Sequence, residues 1–485
     1  MAAGQPLLEG PVTCIRRCAW IIAWDGRRHV YRRDGDVTWQ GDRLIRVGGH
    51  HAGPVDRELD GSRALVMPGL VNIHCHPSQS ALFRGLVEEF GDPRLFYSSR
   101  HRFRQAFIAD VEAQQASARF ALAELLANGV TTVVDLSHAY PGWLDLLAAS
   151  GVRAWAAPMF RSARWWTDTG QATLYDWAPD EGRAAFAEAE AVMDEADAHP
   201  SGRLASMVSP AQVDTCTAEL LQRAAGLARR TGRPLHVHAA QSYAEFTEMT
   251  RRHAMTPIEW LHSLGFLGPD TILGHAVFTD MHPWLVWATT NDIDLLASTG
   301  TAVAHCPTVF ARDGSLLHHL GAYLRAGVRI AIGTDTHPHS VLEEIRNAEI
   351  LARVAAGPRH ATSTAELFHC ATVEAAAVLR RDDLGRLAAG AKADLVLCSL
   401  DEPLMRPVYD PLRSLVHAAA DRAVRDVWVD GRQVVEAGRV LTIDRAAAGA
   451  ALEAAQARIA GRVPGHDPQG AALGELVPLA LPLAD

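Results

Sequence analysis

His74-Cys75-His76 closes an apolar run, VMPGLVNIHCH. Side chains of a strand alternate with a period of two, so both imidazoles face one side and Cys75 faces the other. Two imidazoles on one face can share a metal ion. The pattern alone says little, because 23 histidines in 485 residues make H-x-H easy to meet, and the chain has three such pairs, at 74/76, 236/238 and 337/339. Position discriminates. His74, His76, His238, His275 and Asp335 all fall at the C-terminal ends of predicted strands. Neutral imidazoles with one carboxylate suit a borderline divalent cation and leave a coordination place for water. Zinc fits best, with Fe2+, Mn2+ and Co2+ as alternatives.

The elements that position these residues begin at Val66, where apolar strands start to alternate with long helical stretches, the order of a parallel sheet. Eight strands are predicted, over 70–74, 131–136, 153–158, 204–208, 234–238, 271–275, 301–305 and 328–333. Helices are predicted between them, among others over 109–127, 183–196, 217–230, 318–326 and 341–355. No G-x-G-x-x-G opens the first helix, which argues against a dinucleotide-binding open sheet. The expected fold is α/β, a TIM-like (β/α)8 barrel, whose active face is the C-terminal end of the strands. Residues 11–65 and 385–440 read instead as short strands with Gly/Asp turns, so both chain ends are expected to build one small discontinuous β-sandwich domain. The expected domains are 1–65 with 385–442, a barrel over 66–384, and a C-terminal helix and tail over 443–485.

Composition excludes other classes. A formal net charge of −10 and an isoelectric point near 6.1 argue against nucleic acid, whose phosphates require a basic surface. With 48% hydrophobic and 21% charged residues the chain reads as a soluble globular protein. The beginning of the chain lacks a signal-peptide pattern and no run is long enough to span a bilayer, so a cytoplasmic location is expected. The seven cysteines are dispersed and never in C-x-x-C spacing, which predicts buried thiols and neither disulfides nor a thiolate zinc site.

VMPGLVNIHCH, PLHVHAAQ, ILGHAVF, AHCPT and IGTD, followed by KADLVL and VWVDGRQV, together resemble the amidohydrolase superfamily. They occur in that family's order over roughly residues 11–440. The texture is most similar to the branch of cytosine, guanine and S-adenosylhomocysteine deaminases and triazine hydrolases, and to molinate hydrolase and ethylammeline chlorohydrolase-like proteins. The resemblance implies that His74, His76, His238 and Asp335 hold the metal, with Asp335 also moving a proton, and that His275 hydrogen-bonds the attacking water or developing oxyanion. It favours His238 over its neighbour His236, and the strand-four segment RLASMVSP has no lysine to bridge two ions, so one divalent ion per subunit is expected. Homo-oligomers are common among such barrels, and a small molecule is the expected partner.

Two departures bear on substrate. The deaminases carry a glutamate where this chain has Gln241, and an amide cannot protonate a ring nitrogen. The strand-four loop, SPAQVDT, lacks the histidine of nucleoside deaminases. After strand three, Arg161 and Arg164 are candidates to polarise a carbonyl or clamp a carboxylate, and Trp165 and Trp166 to wall an apolar pocket. Gln241, His305 and His337 are further candidates for substrate contact, and Gln79 and Arg84 weaker ones. The expected function is therefore hydrolysis of an amide, carbamate, thiocarbamate or urea at a C–N or C–S bond. The alternatives are an aminohydrolase or chlorohydrolase acting on a purine, pyrimidine or triazine ring, and a non-catalytic scaffold of the same fold.

Overall fold

Eight parallel strands with helices between them form the larger part of the computed structural model, which describes residues 9–87, 96–170, 172–356 and 362–484. They are β1 (Leu70–Cys75), β2 (Val130–Ser137), β3 (Arg153–Phe160), β4 (Leu204–Ser206), β5 (Leu235–Ala239), β6 (Thr271–His275), β7 (Ala302–His305) and β8 (Arg329–Ile332). They pair in two arcs, β4-β3-β2-β1 and β5-β6-β7-β8. Isolated parallel bridges join the arcs at both seams, Cys75 with Asp335 and Val208 with Leu235. At the first seam the Asp335 N–H donates to His74 O at 2.9 Å, and at the second the His236 N–H donates to Val208 O at 2.8 Å. β4 ends at Ser206, short of the expected Val208, and its continuation Ser209–Pro210 pairs with the end of β3.

The strands are apolar on both faces because each face is covered. Inward residues Val71, Ile73, Val134, Leu136, Trp155, Ala157, Ile272, Ala302, Ala304 and Ala331 form one buried cluster. Outward residues such as Leu70, Val133, Val237, Leu273 and Ile330 join a larger cluster with helix residues Leu122, Leu221 and Leu342. The helix Ala218–Thr231 shows why this layer forms. Thr217 caps it by accepting from the Leu220 N–H, Leu220, Leu221, Ala224 and Ala228 fall on one buried stripe, and Gly232 ends it at φ 73°. Fully burying each leucine contributes about 1.5–3 kcal/mol.

The two chain ends form two further sheets. One has the order 43–47, 35–40, 12–18, 57–60, and the other 439–440, 432–436, 424–429, 395–399, 64–68, 20–24, 29–32. Between them Ile15, Val37, Trp39, Val66, Leu395 and Trp428 are buried together, which makes this part a β-sandwich. Ala64–Pro68, on which the expected boundary at 65/66 falls, pairs along its whole length with Leu395–Ser399, so that strand sits entirely in the terminal sheet. Arg153 at the start of β3 anchors the barrel to the sandwich by ion pairs with Asp394, at 3.2 Å, and with Asp430. The helix Arg445–Ala460 docks on the barrel. Its Leu452, Ala455 and Ile459 pack with Phe83, Phe103 and Phe107, and Arg458 meets Asp110 at 2.9 Å. Residues 1–8 and Asp485 of the expected end domains lie outside the described residues. All seven cysteines are buried and free, and no helix among the described residues is long and apolar enough to cross a membrane.

Candidate functional site

At the C-terminal ends of β1, β6 and β8 the backbone leaves regular strand geometry. The pairing of β1 with β2 shifts between Asn72 and Cys75. Val71 before the shift and Ile73 within it fill the barrel. At it, His74 meets the rings of His236, His238 and His275 at centroid distances of 4.9, 4.8 and 4.6 Å. On β6, Ile272 faces inward and Leu273 outward. His275 adopts φ 112° and Asp335 φ 56°, conformations that cost residues other than glycine free energy and that cluster at functional sites. Glycine makes room where the rings converge. A Cβ at Gly274 would lie 2.8 Å from His74 Cε1 and 3.0 Å from His236 Nε2.

The orientation of each imidazole is fixed from behind. His76 Nδ1 donates to Leu136 O and His238 Nδ1 to Ala211 O, both at 2.6 Å. A carbonyl only accepts, so both rings carry their proton on Nδ1 and turn a bare Nε2 inward. Those two Nε2 atoms are 3.3 Å apart. His74 Nδ1 is 3.0 Å from His236 Nε2. Asp335 Oδ1 lies 3.2 Å from His76 Nε2 and 3.4 Å from His74 Nε2, and the latter atom is buried without a well-formed hydrogen bond. Lone pairs therefore converge with no proton between them, an arrangement that a cation resolves. His74, His76 and His238 each offer a ligand atom within 4.8 Å of the others. This donor set fits a borderline divalent ion.

Electrostatics agree. Burial lowers the pKa of His74 and of His275 to about 3 and holds His236 and His238 well below the ordinary imidazole value, so all four are neutral and able to donate a lone pair. Burial opposes ionisation of Asp335, and only positive charge or protons at the His74 and His76 nitrogens hold it well below the usual carboxylate range, so with those nitrogens bare a cation takes that place. A second trio, His74, His275 and Cys306, is equally close. There, burial pushes the thiol of Cys306 well above its ordinary value, so it offers a thiol where a soft ion requires a thiolate.

The cluster opens into a cavity of about 520 Å³, with His76, His238, His275 and Asp335 among its lining and Phe83, Phe107, Trp165, Trp166 and Phe310 supplying aromatic surface. Gln79, Arg161, Arg164 and Gln241 also line it. The two arginines differ. Arg164 is exposed and paired with Asp176 at 3.1 Å, whereas Arg161 is half-buried with its pKa lowered, first by burial and then by Arg164. Trp166 is at the exposed rim. Arg84 is committed to an ion pair with Glu124.

Two expected substrate contacts lie elsewhere. His305 is 4% exposed, with its pKa lowered to about 4 by burial, and is not among the residues that line the cavity. His337, expected on a rim loop, is 7% exposed and its Nδ1 is 2.9 Å from Ser80 O, which turns it into the fold. His138, at the end of β2, lines the cavity beside Arg161 with its pKa lowered to about 4 by burial and by that arginine. Its position just past a strand end was the available signal, missed because no H-x-H accompanies it.

A sequence profile of the Amidohydrolase family matches residues 65–434. The chain is 31% identical over 432 residues to a 5-methylthioadenosine/S-adenosylhomocysteine deaminase of Natronomonas pharaonis, covering 87% of this chain and 93% of that protein. It is 26% identical over 416 residues to a 5'-deoxyadenosine deaminase of Methanosarcina acetivorans, covering 85% and 90%. A zinc-bound adenosine deaminase of Xanthomonas campestris superposes with a TM-score of 0.77 at 25% identity, covering 93% of this chain and 99% of that one. Atrazine chlorohydrolase of Arthrobacter aurescens TC1, in complex with zinc, shares the fold with a TM-score of 0.77 at 24% identity, covering 92% and 100%. This protein belongs to the amidohydrolase family. It is a metal-dependent hydrolase of that family, acting on carbon–nitrogen bonds other than peptide bonds.

Proposed function

We propose that this chain is a zinc hydrolase that replaces an exocyclic substituent of a purine- or triazine-like ring by hydroxyl. The observation that carries this is the meeting of bare imidazole nitrogens and Asp335 at the floor of a cavity walled by aromatic rings. The names of the relatives support the ring reading over the expected amide, carbamate, thiocarbamate or urea.

His74, His76, His238 and Asp335 would hold the ion. A divalent ion there supplies Lewis acidity and lowers the pKa of water toward about 7. Asp335 takes the proton of the attacking water and passes it to a departing amine, or releases it to solvent when the departing group is chloride. His275, whose Nδ1 is buried without a partner, steers the water and hydrogen-bonds the developing charge. Arg161 binds a substrate oxygen or carboxylate. Gln241 hydrogen-bonds a ring nitrogen without protonating it, so a ring chloride, which leaves as a stable anion, suits the site better than a ring amine.

The test is turnover of matched rings by zinc-loaded protein, 6-amino- against 6-chloropurine nucleosides and amino- against chlorotriazines, read as ammonia and chloride. The proposal expects release from at least one ring scaffold. Turnover of carbamates, thiocarbamates or ureas with no release from any ring would reverse it.

A further inference from the structure

The loop after β4 holds a buried carboxylate that the chemistry above leaves unused. Asp214 is 1% exposed. Its Oδ2 accepts from the Tyr175 hydroxyl at 2.7 Å and from Trp165 Nε1 at 2.8 Å. Trp165 and Tyr175 are direct partners across the hairpin of strands Ala163–Trp166 and Leu174–Trp177. One carboxylate oxygen therefore ties both strands of the hairpin at a single rung.

This hairpin is part of the cavity, which Arg164, Trp165, Trp166 and Asp176 line. A two-stranded ribbon is marginal alone, so its place depends on what holds it. Arg252 lies over the rings of Tyr175 and Trp177, at 4.3 and 5.2 Å, and donates to the backbone oxygen of Asp214 at 2.7 Å. The adjoining Thr167 is held by Gln105, whose Nε2 donates to Thr167 O at 2.7 Å. The arrangement is costly. Asp214 Oδ1 is buried with no hydrogen-bond partner, and Glu245, itself buried, has its pKa raised by burial and then by the charge of Asp214. An apolar core would avoid that cost, and a half-satisfied carboxylate placed behind a cavity wall points to a role in positioning.

We propose that Asp214 is a positioning residue that sets substrate selectivity, clamping Trp165 and Tyr175 so that the hairpin stands as a fixed wall and the cavity prefers a nucleoside with a compact 5'-substituent to one with an extended 5'-substituent. The claim about selectivity rests on the ring-hydrolase reading. The claim about the clamp does not.

The experiment uses full-length, zinc-loaded protein and the variants Asp214→Ala, Asp214→Asn and Tyr175→Phe. Amide hydrogen exchange over residues 163–177 reads the clamp, and kcat and KM for 5'-deoxyadenosine and S-adenosylhomocysteine, which differ only in the substituent on the ribose, or for their 6-chloropurine counterparts if the amines are not turned over, read selectivity. Losing both bonds in Asp214→Ala is expected to speed hairpin exchange by about 10-fold or more, with helix Val111–Ala127 unchanged. The preference for the compact nucleoside is expected to fall about 10-fold through KM, with kcat for that nucleoside within about 3-fold of wild type. Asp214→Asn, which keeps an acceptor oxygen, should restore most of both. Tyr175→Phe should move both readouts in the same direction by less, and it decides the matter if Asp214→Ala does not fold. Wild-type exchange in both Asp214→Ala and Tyr175→Phe would overturn the clamp, and equal changes for both nucleosides would overturn the selectivity. If the wild type turns over neither nucleoside nor any other ring, the ring reading and the selectivity claim fall together, while exchange still decides the clamp.

Discussion

His236 Nε2 lies 3.0 Å from His74 Nδ1, and this contact separates two histidines that the sequence leaves as rivals. Both residues of the pair 236/238 face into the barrel, yet His238 turns a bare nitrogen to the cluster while His236 braces the ring of His74. Residues that orient a ligand typically contribute about 10- to 100-fold in metal affinity. Zinc titration calorimetry should show His236→Ala weakened by about that factor, whereas His238→Ala should lose tight binding. Equal losses in the two variants would mean that His236 is itself a ligand.

Gly274 offers a test of packing at the same centre. A methyl group there would press on the rings of His74 and His236, which are enclosed by the barrel and have no open side. Gly274→Ala is expected to fall below half of wild-type zinc content, measured by elemental analysis. Full zinc content would show that the rings can yield.

The fold was legible largely from period and order. Apolar strands alternating with amphipathic helices define the barrel, and all eight expected strands are present. What resisted is local backbone geometry. The register shift in β1 and the positive φ of His275 break the period-two alternation that a sequence reading assumes, so the sides on which His74 and His275 fall do not follow from counting. Nor does period distinguish a strand-end histidine that lines the cavity, such as His138, from one that is buried away from its lining, such as His305. Asp214 carried no signal at all, because its partners Trp165 and Tyr175 are distant in sequence and meet it only through the hairpin.

Arg153 is 2% exposed, between Asp394 and Asp430. Replacing it by leucine leaves Asp394 near the barrel–sandwich junction without its arginine and Asp430 with Lys392 alone, and breaking a buried pair in this way costs about 3–5 kcal/mol. Urea unfolding should show the loss as a lower midpoint. A change within about 0.5 kcal/mol, the range of ordinary surface substitutions, would mean that Lys392, 3.1 Å from Asp430, compensates fully.

Gln241 is where the chemistry can be altered with least disturbance, since glutamate has nearly the same shape. A positioned acid contributes typically about 10²- to 10⁴-fold. Gln241→Glu is therefore expected to raise ammonia release from ring amines by about 10²-fold or more and to change chloride release by much less. No gain with the amine would show that ring protonation does not limit this enzyme.

Asp335 carries the largest share of the proposed mechanism, as both ligand and proton carrier. Turnover of Asp335→Asn, compared with wild type at matched zinc occupancy, should fall by about 10²-fold or more. Near-normal turnover in loaded protein would assign the proton to another group that lines the cavity, His275 or His138.

The central claim is that His74, His76, His238 and Asp335 form a single metal centre on which hydrolysis depends. Its most direct test is stepwise return of zinc to chelated protein, with bound zinc and hydrolysis of the best ring substrate followed together. The account predicts negligible turnover without metal and a linear rise to a plateau at about one equivalent per chain, as befits a site with three imidazoles and one carboxylate. A plateau at two equivalents, or full turnover in metal-free protein, would contradict it.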